Sequence, residues 1–446
     1  MPLHPEHERF IRRVVIPVVL IMVVGIWAGK HVRKTSKGGT AFVRWRPQIQ
    51  ALVHGENVYQ AGLLEDEDGE TDSDAAYPNP PLMAICLYPL TLLPPVVGAV
   101  IWFLIKVAMA IGLFMWAIRL ASGRGPPMPG WAIAVLLVLA LRPFTSDLDH
   151  GNVNILIAFL VVLSLWMFAQ GRDIWAGVLL ALATAFKVTP ALLIPYFAWK
   201  RQWKLVASAI IGLALFLTVV PGLVLGQSRN IELLGDWYGA VVAPYVERGE
   251  VETRQHNQSM PALLYRWLTD SPGLEKSGGH EPEHVNFASL DPRIVRWITR
   301  GLSIALIIAL AWLCRTPTND RLDWRLCCEY GLVIIGMLVL SERTWKHHYT
   351  PFAIPLAALV AYWSLRALTP RSRTVLLIVM IVFYLLLSST SREIGGRLVP
   401  GGQGHKWTQA AGVYLWAAML VFVTLGAILR RSATRTCYAS FRHSKE

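Results

Sequence analysis

Two aspartates one residue apart, Asp147 and Asp149, stand immediately before His150-Gly151-Asn152-Val153-Asn154, between apolar runs at 131–141 and 153–168. Charges at such a helix entrance are costly if they face lipid, so they are expected to face a polar cavity or the aqueous surface. A carboxylate there has the chemistry of a general base. Gly151 lets the backbone come close to a ligand, and Asn152 and Asn154 offer amide donors and acceptors to hydroxyls or phosphate. The same residues have a structural reading, in which Asp149 or Asn152 caps the helix that begins near Val153. Asp147-Leu148-Asp149 also has the form of a metal-binding Asp-x-Asp, but chance supplies that tripeptide often, and no metal site is assigned.

Three further groups carry chemistry. Lys187, followed by Thr189-Pro190 and set between apolar runs at 174–186 and 191–199, either snorkels or meets an anion. Glu342 opens Ser341-Glu342-Arg343-Thr344-Trp345-Lys346-His347-His348-Tyr349. His347 and His348 point about 100° apart on a helix, which suits chelation poorly. One of them can hydrogen-bond a phosphate or sugar; the alternative is an interfacial belt of Trp345, His348 and Tyr349. Asn257-Gln258-Ser259 lies in a long polar segment, 226–296.

The elements that must position these residues are membrane-spanning. The chain of 446 residues is 54% hydrophobic and only 16% charged, with 18 Trp and a mean hydropathy of +0.44, where a soluble domain carries about 25% charged residues. Apolar runs at 14–27, 96–118, 153–168, 205–225, 298–313, 351–365, 375–387 and 413–429 approach the roughly 17–25 residues that cross hydrocarbon. Shorter runs at 131–141, 174–186, 191–199 and 328–340 complete a count of about twelve crossings, with nine to thirteen tolerated. The expected fold is one all-α polytopic membrane domain over 1–446. Lys and Arg near the span ends place both termini in the cytoplasm, with a basic tail at 430–446 and outer segments at 30–81 and 226–296. The run at 14–27 lacks a small-residue cleavage site and is expected to stay as a signal anchor.

The net charge of +13 fits anchoring to anionic lipid; no basic stripe interleaved with aromatics suggests nucleic acid. Five cysteines are scattered without zinc or disulfide spacing. The acidic run Glu65-Asp66-Glu67-Asp68-Gly69-Glu70 lacks the EF-hand pattern and reads as a solvated insertion. There is neither a P-loop nor a dinucleotide fingerprint. A transporter would share the many spans, but no internal repeat or matched pair of broken helices is found.

Taken in order, the motifs resemble glycosyltransferase family 87. Gly55-Glu56-Asn57-Val58-Tyr59 is similar to its Gly-x-x-x-Tyr, and Tyr77-Pro78-Asn79-Pro80-Pro81-Leu82 with Tyr88-Pro89-Leu90 to its Tyr-x-Tyr-Pro-Pro stretch. His150-Gly151-Asn152-Val153-Asn154 stands in place of Gly-Gln-x-Asn, Lys187-Val188-Thr189-Pro190 matches Lys-x-x-Pro, and Asn257-Gln258-Ser259 and Trp345-Lys346-His347-His348 follow. The resemblance implies a GT-C bundle that takes mannose or arabinofuranose from a polyprenyl-phosphate carrier, with inversion, on the non-cytoplasmic face of a bacterial cytoplasmic membrane. It makes Lys187, His347 and His348 candidates for the donor phosphate. Tyr77, Asn152, Asn154, Asn257, Gln258 and Ser259 become candidates for the sugar or the lipid or glycan acceptor. The lipid-linked sugar is a co-substrate, and no cofactor is expected.

That family carries an Asp-Phe pair soon after the first span, where this chain reads Thr40-Ala41-Phe42. Inverting sugar transfer still needs a carboxylate to take the acceptor proton and cations to steady the departing phosphate. Asp149 and Asp147 are the first candidates, then Glu342, then an acid of the 65–74 run. A catalytically inactive scaffold is the reading that the missing acid favours. The enzymatic reading expects Asp149, Lys187 and His347 in one polar chamber.

Overall fold

The computed structural model describes residues 5–60, 77–275, 283–399 and 402–443. The acidic run at 65–70, and with it the expectation of a solvated insertion, lies outside the described residues. What is described is almost wholly helical, with a single two-stranded antiparallel ribbon, Pro272–Leu274 with Glu283–His284.

Among the described residues seven helices are long and apolar enough to cross a membrane: Glu6–Thr35, Pro95–Ser122, Gly130–His150, Trp203–Leu225, Pro292–Leu313, Pro370–Ser388 and Val413–Ser432. The chain is an integral membrane protein. The other apolar runs fold as shorter helices, Asn154–Ala169, Asp173–Phe186, Leu193–Trp199, Trp324–Leu340 and Ala353–Leu365. The 16 residues of Asn154–Ala169 extend about 24 Å at 1.5 Å per residue, short of the roughly 30 Å of hydrocarbon. The run at 131–141 is longer than the sequence suggests. Its helix passes through Arg142 and Pro143 and ends at His150, so the two aspartates sit in the last helical turn and not in a loop.

The chain packs as two compact units, Met1–Met115 with Pro143–Val251, and Trp116–Arg142 with Glu252–Glu446. In the first, the apolar side chains of Glu6–Thr35 face outward, Ile21 and Met22 among them, as lipid-facing groups do. Its core is built on small residues. A Cβ on Gly177 would come within 2.9 Å of the Ala209 nitrogen and 2.7 Å of Ser208 Cβ, and Ser208 Oγ donates to the Ile174 carbonyl at 2.8 Å. Close backbone approach of this kind supplies the dispersion contacts that hold helices together where lipid removes the hydrophobic drive. Asn154–Ala169 is buried on nearly every face.

In the second unit Trp324–Leu340 is buried along nearly its whole length and packs against Ala353–Leu365, itself buried from Ala353 to Ala361, and against the C-terminal helix. A Cβ on Gly331 would meet the Pro355 Cα at 2.9 Å. A helix, Ala41–Val53, lies in the first unit, its Phe42, Trp45, Ile49 and Leu52 buried and its Arg44 exposed.

Candidate active site

The last turn of Gly130–His150 and the first of Asn154–Ala169 bring the candidate residues of the first unit together. Asp147 is fully buried against an equally buried Lys106 from the middle of Pro95–Ser122: Lys106 Nζ lies 3.3 Å from Asp147 Oδ2 and donates to the Asp147 carbonyl at 2.8 Å. The other carboxylate oxygen accepts from the Asn154 amide nitrogen at 3.3 Å and from its side-chain Nδ2 at 3.0 Å. Helix capping is thus performed at this turn, by Asp147 from seven residues back, while Asn152 Oδ1 accepts from the Val153 nitrogen at 2.7 Å. Asn154 Oδ1 in turn accepts from Lys187 Nζ at 2.8 Å. A continuous polar chain, Lys106–Asp147–Asn154–Lys187, runs through the unit.

Asp149 is placed differently. Its side chain is 30% exposed and accepts from Lys34 Nζ at 2.8 Å, with Lys34 31% exposed. The two aspartates pair with different cations, and among the described residues no group of three His, Cys, Asp or Glu is arranged to hold a metal.

Gly151 makes this geometry possible. Its φ is +70°, and a Cβ on it would lie 3.3 Å from Thr40 Cβ, 3.4 Å from His31 Cε1 and 3.7 Å from the Phe42 nitrogen. The turn therefore abuts the backbone at residues 40–42, where Ala41 is buried. Its carbonyl accepts from Trp102 Nε1 at 3.1 Å. His31 is buried in the same place, against Phe103 at 5.1 Å, with the Leu148 and Ala99 carbonyls nearby but no hydrogen bond of good geometry to either ring nitrogen. Tyr77, buried, stands edge-on to Trp45 at 5.8 Å, and burial raises its phenol well above the ordinary value.

The candidates of the second unit form a knot of main-chain hydrogen bonds. Asn257 Nδ2 donates to the Glu252 and Glu342 carbonyls at 3.0 and 2.9 Å, and its Oδ1 accepts from the Thr344 nitrogen at 3.0 Å. Gln258 Nε2 donates to the carbonyls of Gln255 and Gln409, and its Oε1 accepts from the Tyr414 nitrogen. Ser259 Oγ donates to the Glu342 carbonyl at 3.0 Å and caps Met260–Leu268. All three side chains are buried. Their polar atoms are turned to the main chain of the segment that carries Glu342, Lys346 and the histidines.

Arg266 tightens the same knot. Its guanidinium is fully buried and donates to the carbonyls of Thr253, Arg254, Asn257, Gln409 and Ala410; burial lowers it to about 10. His347 is buried and His348 half-buried, their rings edge-to-face at 4.7 Å, and Trp345 stacks on His348 at 6.2 Å. Lys346 is held among cations: burial first, then the Arg142 and Arg392 guanidinium groups, push its ammonium down to about 8.

The structure thus groups Asp147, Asp149, Asn152, Asn154 and Lys187 in one unit, and Glu342, His347, His348 and Asn257-Gln258-Ser259 in the other. Lys34, Lys106, His31, Arg266 and Lys346 escaped the sequence reading. For Lys106 the signal was available: a lone lysine inside the apolar run at 96–118 must find a partner.

The model of glycosyltransferase family 87 matches residues 77–341. The chain belongs to that family. A curated relative from Mycolicibacterium smegmatis, a polyprenol-phosphate-mannose-dependent alpha-(1-2)-phosphatidylinositol pentamannoside mannosyltransferase, is 30% identical over 78% of this chain and 76% of its own. A second from the same organism, a polyprenol-phosphate-mannose-dependent alpha-(1-2)-phosphatidylinositol mannoside mannosyltransferase, is 26% identical over 87% of this chain and 82% of its own. The crystal structure of ArnT from Cupriavidus metallidurans bound to undecaprenyl phosphate aligns with a TM-score of 0.40 and 15% identity, over 92% of this chain and 77% of that one. As a member of family 87 the chain is a membrane glycosyltransferase; the motifs from Tyr77 to Ser259 fall within the matched span, and Gly55–Tyr59 and Trp345–His348 lie outside it.

Proposed function

We propose that this glycosyltransferase moves mannose, with inversion, from a polyprenol-phosphate carrier to a lipid-anchored acceptor of the phosphatidylinositol mannoside type. The acceptor hydroxyl attacks the anomeric carbon, the bond from that carbon to the phosphate oxygen breaks, and the isoprenoid phosphate departs with the electron pair. The hydroxyl proton passes to Asp149. No metal or organic cofactor enters the scheme. The site faces the non-cytoplasmic side of a bacterial cytoplasmic membrane, both termini being cytoplasmic, since Lys and Arg crowd the opposite span ends.

The observation that carries this reading is the contact between the Gly151 turn and residues 40–42. The carboxylate that the family places at the Ala41 position is absent there, and Asp149, two residues before Gly151, is partly exposed and oriented by Lys34. Asp147, with both oxygens engaged by Lys106 and Asn154, serves to hold that turn.

The test uses membranes carrying the full chain, a labelled polyprenol-phosphate mannose and a phosphatidylinositol mannoside. Label is expected in a longer glycolipid. Asp149→Asn cuts transfer by about 10²–10⁴-fold, and adding Ala41→Asp to that variant restores part of it, because the second substitution returns a carboxylate to the other side of the same contact. Wild-type membranes that form no new glycosidic bond would overturn the proposal.

A further inference from the structure

In the first unit Asn154–Ala169 starts at the site and Asp173–Phe186 returns to it, where Lys187 meets Asn154. The turn between these helices is remote from the reaction, because the 14 residues of Asp173–Phe186 extend about 21 Å at 1.5 Å per residue. A second turn, between Leu193–Trp199 and Trp203–Ala214, lies beside it. Phe168 and Phe197 meet at 5.0 Å between ring centroids. A Cβ on Gly177 would stand 2.5 Å from the Leu205 carbonyl oxygen, and one on Gly212 2.7 Å from Ala181 Cβ, so Asp173–Phe186 and Trp203–Ala214 run in the same direction and begin side by side.

Both turns close in the same way. The Gly171 nitrogen donates to the Phe168 carbonyl at 3.0 Å and the Arg172 nitrogen to that of Met167 at 2.9 Å; the Arg201 nitrogen donates to the Ala198 carbonyl and the Gln202 nitrogen to that of Phe197, each at 2.9 Å. This paired closure puts a left-handed residue just past the helix, and glycine is its usual occupant. The first turn has Gly171 there, at φ +76°; the second has Arg201, at φ +57°, the one non-glycine residue of positive φ among the described residues. A side chain at that angle strains the backbone, and Arg201 is exposed, so no burial offsets the strain.

The surroundings of Arg201 share its character. Arg172 and Lys204 are exposed, as are Ile174, Trp175 and Trp203, the two indoles at 62% each. Asp173, half-buried, is the sole acid of residues 150–231. Indoles in open water leave apolar surface wetted, and indoles in hydrocarbon leave the N–H without a partner; the headgroup layer of a bilayer answers both. We infer that Arg172, Arg201 and Lys204, flanked by Trp175 and Trp203, form a binding surface for the headgroups of anionic phospholipid in the leaflet that this end reaches. The chain's net charge favours anionic lipid in general. Arg201, standing where glycine fits better, marks one place, and cations held at headgroup depth count there because the attraction falls off within a Debye length.

The experiment is retention of phosphatidylglycerol by the purified full chain in nanodiscs of mixed phosphatidylcholine and phosphatidylglycerol, counted by native mass spectrometry, with the unfolding temperature measured on the same samples. Wild type retains phosphatidylglycerol in preference. Arg201→Gly weakens its apparent affinity about fivefold, while the unfolding temperature holds or rises because glycine relieves the strained turn. Arg201→Lys stays within about twofold of wild type, and Lys204→Gln, which leaves the turn alone, gives a second loss of about fivefold. Unchanged retention in both Arg201→Gly and Lys204→Gln overturns the surface. So does an equal loss from Arg300→Gln, at an exposed arginine of the other unit, because net charge and not this place would then recruit the lipid. If Arg201→Gly lowers the unfolding temperature and Lys204→Gln loses nothing, Arg201 serves the helix end and the inference falls.

Discussion

The turn at 147–154 and the knot at 252–259 with 341–348 contain the same kinds of side chain, acids, amides, cations and imidazoles, and use them in opposite ways. In the first, amides and a lysine are strung into a chain that fixes one aspartate and leaves another, Asp149, at the edge with a single cation. In the second, Asn257, Gln258, Ser259 and Arg266 spend their polar atoms on backbone carbonyls and amides, and what they leave accessible is the segment they hold. Polar residue types in a motif mark a place where something must be satisfied; burial decides whether that is a ligand or the backbone itself.

The sharpest way to break this comparison is to neutralise the two aspartates separately. Asp149→Asn is expected to cut transfer by about 10²–10⁴-fold, the range for removing a general base, with the amount of folded protein unchanged. Asp147→Ala leaves Lys106 buried without its carboxylate and is expected to destabilise by about 3–5 kcal/mol. Its signature is loss of folded protein on size exclusion and a lower unfolding temperature in detergent. If Asp147→Ala folds normally and only turnover falls, the roles assigned to the two residues are reversed.

Next in size is Arg266→Lys. An ammonium carries three donors where the guanidinium serves five carbonyls, so some carbonyls are left without a donor, at about 1–3 kcal/mol for each unsatisfied group. Limited proteolysis should then cut the 252–259 segment faster than in wild type. An unchanged proteolysis rate would mean that Asn257 and Gln258 hold the knot without Arg266. A smaller effect is expected at Gly151→Ala. The left-handed φ costs about 1–2 kcal/mol for an alanine, and the new methyl group must displace Thr40 or His31 by a few tenths of an ångström. Because that displacement moves the turn away from residues 40–42, turnover should fall more than the unfolding temperature suggests.

The membrane-spanning helices were legible because their apolar runs are long. The extent of Gly130–His150 was not legible. Arg142-Pro143 reads as the end of a span, yet Pro143 sits inside a continuous helix, and tertiary packing overrides the local signal. At the turn, the residue types were readable but not their division of labour, since nothing in Asp147-Leu148-Asp149 says which carboxylate meets Lys106 and which meets Lys34. Those partners lie 41 and 115 residues away in the chain. The segment 345–348 drew attention to its histidines, while Lys346 between them and Trp345 acquires its character only from Arg142 and Arg392.

The smallest predicted effect is also the one that links the two regions' logic, because Lys346 is a half-buried cation whose charge is a matter of pH. With a folded value of about 8 and an unfolded value near 10.4, the unfolded chain binds more protons than the folded one between those limits. Stability therefore rises with pH across that window and is flat with respect to this group below it. The protein should thus become slightly more stable over that interval, which a series of thermal unfolding curves in detergent measures. Lys346→Met should remove the trend, and Lys346→Arg should move it out of the range, since a guanidinium stays charged there. If stability instead falls above pH 8, the charge of Lys346 is satisfied by the folded protein, and the second unit resembles its own Asn257 knot more than it resembles the open edge at Asp149.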